Sequence, residues 1–69
     1  MLGVILNTEI TEGNINMFNI QGQLISSQAI VAENGTKQFT LNVEHLGTGV
    51  YFIEFNFNGN KEVKRLVKL

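Results

Sequence analysis

Cysteine, proline and tryptophan are absent from these 69 residues. Without cysteine there is no disulfide framework and no thiolate zinc site, and thiol usage gives no hint of a redox compartment. Without tryptophan, the flat ring that sugar-binding sandwiches present on one face must come from another aromatic. The single histidine, His45, has no second histidine with which to form a metal pair and sits in the turn before Leu46. Strong charge is lacking too: the formal net charge is −1, too near neutral for a nucleic-acid binder that works by counterion release. No stretch approaches the ~18 apolar residues of a membrane span. The N-terminus lacks the charged-then-apolar layout of a secretory signal, and helix-period apolar spacing is nowhere sustained. The glutamates are scattered and no nucleophile has a base beside it, so no catalytic residue is assigned and no cofactor or metal is called for.

What remains is a pattern of alternation. A chain of this length makes one domain that buries only about 60% of its unfolded surface. The chain is organised around Leu46-Gly47-Thr48-Gly49-Val50-Tyr51-Phe52-Ile53-Glu54-Phe55-Asn56-Phe57, a glycine-hinged turn leading into its most apolar strand. Tyr51, Ile53, Phe55 and Phe57 share one parity and form the expected inner face. Leu46, Gly49, Tyr51 and Ile53 have the spacing of a tyrosine corner, in which the phenol at the start of a strand reaches back to upstream backbone. Burying such an aromatic removes ~150–250 Å² from water, several kcal/mol at about 25 cal/mol per Å². Tyr51 is therefore expected at the heart of the core.

Other strands follow from the same period. Leu2, Val4 and Leu6 read as a first strand ending at Asn7-Thr8-Glu9, and Glu12-Gly13-Asn14 as a turn into a second strand through Ile15 and Met17. Ile20-Gln21-Gly22-Gln23 is the next turn, with Gly22 at positive φ, and residues 24–31 form the third strand. Glu33-Asn34-Gly35-Thr36 carries the Asn-Gly hairpin signal, which pairs the third strand with a fourth through Phe39, Leu41 and Val43. Asn58-Gly59-Asn60 closes a tight hairpin onto the last strand, residues 61–69. In that strand Val63, Val67 and Leu69 are expected to face inward, because the other choice buries two lysines and a glutamate. The fold class is all-β: a small antiparallel Ig-like β-sandwich of about six to seven short strands. A seventh strand would lie before Met1, leaving an open sheet edge through which a partner chain or a second copy could pair as a homodimer. Met1 itself reads as an initiator placed on an excised fragment.

Charge is unevenly spread. Lys61, Lys64, Arg65 and Lys68 gather at the C-terminus, and Lys37 is the only other basic residue. Read end to end, three blocks stand in order: Gly13 to Ile25 (GNINMFNIQGQLI), Leu41 to Tyr51 (LNVEHLGTGVY), and Lys64 to Leu69 (KRLVKL). Together they resemble the type A C-terminal sorting domain of the type IX (Por) secretion system, over nearly the whole chain. The resemblance implies one domain, residues 1–69, serving as a non-catalytic C-terminal signal for a cargo protein attached N-terminally, in a Gram-negative bacterium. It implies passage through the periplasm, translocation across the outer membrane by type IX translocon components, and delivery to the cell surface or medium. A sortase-like peptidase commonly removes the domain and anchors the cargo. Carried over by position, the matching residues are Gly22 of the turn, Leu46, Gly49 and Tyr51 of the corner, and Lys64, Arg65, Val67 and Lys68 of the terminal block.

Departures are confined to two places. Family members usually open with a proline-containing stretch that this chain lacks. Their turn usually carries an aspartate and an arginine where Asn19 and Gln23 stand; neutral amides keep a cross-turn hydrogen bond but lose a surface charge pair worth at most about 1 kcal/mol. The terminal block has two readings: an edge strand whose lysines block aggregation, or a charged strand that a translocon component recognises by β-pairing or by charge. The competing function is an Ig-like or fibronectin-like binding or adhesion module appended to an extracellular enzyme. Phe18 and Phe52 are its only candidate rings on outer positions.

Overall fold

The computed structural model describes residues 2–69; Met1, read above as an added initiator, lies outside them. Four strands follow one another: β1 (Leu2–Asn19), β2 (Leu24–Leu41), β3 (Gly49–Phe57) and β4 (Asn60–Lys68). All neighbours are antiparallel and their order in the sheet is β2-β1-β3-β4. The all-β antiparallel class expected from the alternation is what the chain adopts. Its strands are fewer and longer than expected, because two stretches read as turns lie inside strands.

The first is Glu12-Gly13-Asn14. It makes no hairpin; β1 runs straight through it, with Gly13 opposite Ile30 of β2. Glycine is needed there for a different reason, since a β-carbon on Gly13 would collide with the carbonyl oxygen of Asn56 in β3. The second is Asn34-Gly35. Gly35 does take a positive φ of 79°, but within β2, at a break in register rather than at a chain reversal. Between the pairs Ile5↔Gln38 and Ile10↔Thr36, residues 6–9 of β1 bulge against Lys37 alone; between Ile10↔Thr36 and Glu12↔Val31, residues 32–35 of β2 bulge against Thr11 alone. The two irregularities offset one another in register and bend the hairpin, as bulges do. Its far half folds over the inner face of β3, where the Phe39 and Phe55 rings meet with centroids 5.5 Å apart at 48°.

Between the sheet and its folded-over half lies the core: Leu6, Ile10, Ile15, Met17, Ile30, Leu41, Val43, Leu46, Ile53, Phe55 and Phe57, with Leu2, Val4, Phe39, Tyr51 and Leu66 packed against it. Phe55, Ile10 and Ile53 are the largest side chains fully removed from water. The core therefore centres on Phe55, and Tyr51, expected at its heart, is half-buried at its margin. Residue 51 is the third residue of β3 and pairs with Asn19, the last residue of β1, so it stands at the end of the sheet.

Three tight connections hold the strands in register. At Asn19–Gln23 the Asn19 Oδ1 accepts from the backbone N–H groups of Gln21 and Gln23, both at 3.0 Å, and Gly22 stands at φ 82°. The amide Nδ2 of Asn19 donates to Gln23 Oε1 at 2.9 Å, the neutral cross-turn bond expected of this pair. At Asn58-Gly59 both residues have positive φ, 49° and 76°, as the two-residue hairpin turn requires. The 42–48 connection is pinned by Asn42 Oδ1 accepting from the Glu44 N–H at 3.1 Å and by Leu46 N–H donating to the Val43 carbonyl at 3.1 Å.

That second turn corrects the inward face of β4. It pairs Phe57 with Asn60, so Ile53 faces Lys64 and Tyr51 faces Leu66. Directly opposed residues share a face, and the inner residues of β4 are Glu62, Lys64, Leu66 and Lys68. Val63, Val67 and Leu69 are exposed instead, at 53%, 49% and 99%. The charges tolerate the inner side because β4 is an edge strand: Lys64 Nζ lies 3.1 Å from Glu62 Oε2, and the two side chains keep 40% and 23% of their surface in solvent.

Candidate recognition surface

Strand pairing gathers the three sequence blocks at one end of the sheet. Asn19, where the Gly22 turn begins, is opposite Tyr51; Gly49 is opposite Lys68; and Tyr51 is opposite Leu66. The phenol of Tyr51 donates to the Gly47 carbonyl at 2.9 Å, closing the corner over the buried Leu46. Its ring lies over Gly49, where an added β-carbon would stand 3.9 Å from Tyr51 Cε2. Gly49 takes φ 154°, so a side chain there is strained as well.

The terminal block is divided between two faces. Lys64 and Lys68 stand on the inner side at the sheet margin, Lys64 held by Glu62. Arg65 and Val67 are exposed on the outer side, opposite Phe52 and Val50 of β3. Phe52 is in turn opposite Phe18 of β1, and Phe18 opposite Leu24 of β2. One rung of the outer face thus reads Leu24, Phe18, Phe52, Arg65 across four strands. The two rings singled out as outer aromatics are neighbours in it, half-buried against one another's strands.

Two rungs away from the corner the same face turns polar, an arrangement the sequence reading did not anticipate. Glu54 Oε1 accepts from Asn56 Nδ2 at 2.7 Å and from Asn16 Nδ2 at 3.3 Å, Asn16 Oδ1 accepts from Ser27 Oγ at 2.7 Å, and Glu54 Oε2 lies 3.6 Å from Lys61 Nζ. The ladder runs through all four strands. The Asn56 and Asn16 amides, with Lys61 adding less, hold the Glu54 carboxyl below its ordinary range. Outward parity of each member is visible in the sequence, but the alignment that joins them depends on three strand registers.

Fold and surface define a small all-β domain with one end marked by a tyrosine corner, a tight polar turn and a cationic edge strand. The family model for the secretion system C-terminal sorting domain matches residues 1–69. The chain belongs to that family, the type IX sorting domains. No curated protein and no solved structure matches it. No helix is long and apolar enough to cross a membrane among the described residues.

Proposed function

We propose that this domain is the non-catalytic export signal of a cargo protein joined to its N-terminal side, and that type IX translocon components grip it at β4. The observation that carries the reading is the position of β4: among the described residues a strand bonded to β3 alone, holding four of the five basic residues of the chain. Its free side offers backbone for pairing, and Lys64, Arg65, Val67 and Lys68 flank that side. Gly22, Leu46, Gly49 and Tyr51 act as the frame that keeps the strand in place. In this reading the cargo passes through the periplasm, crosses the outer membrane and is released or anchored after a sortase-like peptidase removes the domain.

The test is export of a fluorescent cargo fused ahead of the chain in a type IX-competent strain. Deleting residues 64–69 leaves the cargo in the periplasm. Replacing Arg65 and Lys68 with glutamate does the same while the circular dichroism spectrum stays β-type. Normal surface delivery of the charge variant rejects recognition by charge, and export that persists without the domain favours the binding-module reading.

A further inference from the structure

The sheet has two strand edges that face each other across a gap. Among the described residues β1 pairs with β3 only from Asn14 to Asn19, so Leu2–Ile5 have β2 on one side and no described strand on the other. β4 likewise has β3 on one side only. Among the described residues, no Cα of β1 comes within 8 Å of one in β4. A groove of about 300 Å³ lies between them, lined by Leu2–Ile5 of β1, Lys64–Val67 of β4 and Ile53. Consecutive residues of both strands line it, residues of both parities, so the groove follows the strand edges rather than a sheet face. Neighbouring strands stand about 4.8 Å apart, and two such steps fit one added strand between edges too far apart to bond directly.

We propose that this groove takes an extended acidic segment of a protein partner as an additional strand, bonded to β1 on one side and β4 on the other. Charge selects the occupant. Lys64 and Arg65 line the groove and no acidic residue does. Glu62 already engages Lys64, whereas Arg65 makes no ion pair among the described residues. A second copy offering its own β4 would set Lys and Arg against Lys and Arg, the arrangement that keeps edge strands apart. An incoming strand with carboxylates on its outer parity meets Arg65, while its alternate apolar residues face Leu66 and Ile53 on the inner side. The partner's identity as a translocon component rests on the export reading above; the groove and its chemistry do not.

The probe is a blocked heptapeptide alternating glutamate and valine, titrated into the purified chain and followed by amide resonances and hydrogen exchange. The expected result is shifted, exchange-protected amides at Leu2–Ile5 and Lys64–Val67. A lysine–valine peptide of equal length binds about tenfold more weakly or worse, and Arg65→Glu loses about tenfold for the acidic peptide, in keeping with charge-steered recognition. The peptide comparison uses the unmodified chain and so does not depend on any variant folding. Absence of binding at millimolar peptide, equal binding of both peptides, or shifts confined to the Phe18–Phe52 face overturns the proposal. So does concentration-dependent dimerisation that protects the same amides without peptide. Failure of the fused cargo to be exported leaves this binding result untouched, so the two readings fail separately.

Discussion

The Tyr51 hydroxyl donates to the Gly47 carbonyl at 2.9 Å, tying the first residues of β3 to the connection that delivers them. This bond is exposed and the ring only half-buried, so the corner fixes the path of the chain more than it fills the core. The energetic centre lies four residues on, at Phe55.

Truncations at these two positions should separate accordingly. Tyr51→Phe, which removes only the hydrogen bond, is expected to cost about 1 kcal/mol or less. Phe55→Ala is expected to cost about 3–5 kcal/mol. A 69-residue domain holds roughly 3–10 kcal/mol in all by the usual per-residue scale, so the second variant should be largely unfolded in a urea titration. Equal midpoints for the two variants would contradict the placement of the core.

Two glycines of β1 make a second comparison. At Gly13 a methyl group meets the Asn56 backbone, whereas at Gly3 nothing lies within 4 Å of an added β-carbon. Gly13→Ala is expected to force β1 and β3 apart and lower the thermal midpoint by several degrees. Gly3→Ala is expected to be neutral or to stabilise by about 0.4–1 kcal/mol, through a less free unfolded chain.

Substitutions along β4 report its inner face. Leu66→Ala removes a side chain packed on the core and is expected to cost about 1–2 kcal/mol, less than a full core truncation because it is half-buried. Val67→Ala, on the exposed side, is expected to stay within about 0.5 kcal/mol of the parent. The reverse ranking in urea melts would restore the opposite register.

Glu54 should give the domain a modest dependence on pH. Its folded carboxyl titrates below the ordinary value of 4.5, so the stability it contributes is complete above that value and is lost as the pH falls through the lower folded one. Glu54→Gln is therefore expected to lower the urea midpoint at pH 7, with the gap to the parent closing in the acid range. A gap that stays constant from pH 7 to pH 3 would mean that the ladder draws on shape alone.

Much of this molecule is legible one residue at a time. Strand character, the inner parity of Tyr51, Ile53, Phe55 and Phe57, the Asn19–Gln23 and Asn58-Gly59 turns and the corner all depend on local conformation and period-2 alternation, which a linear chain carries in full. The Asn58-Gly59 turn even contained the answer for β4, since a two-residue loop after Phe57 sets Leu66 opposite Tyr51. Avoiding buried charge pointed the other way, and at an edge strand that penalty is slight.

The family, too, was within reach of the sequence, because it is written in three ordered blocks. Tertiary structure alone decided what Gly13 and Gly35 are for. The same residues serve a turn when the chain reverses and a bulge or close approach when a neighbouring strand continues past them, and that neighbour lies tens of residues away. The groove between Leu2–Ile5 and the margin of β4 is of the same kind: it exists only because a bent hairpin carries the start of the chain back toward its end.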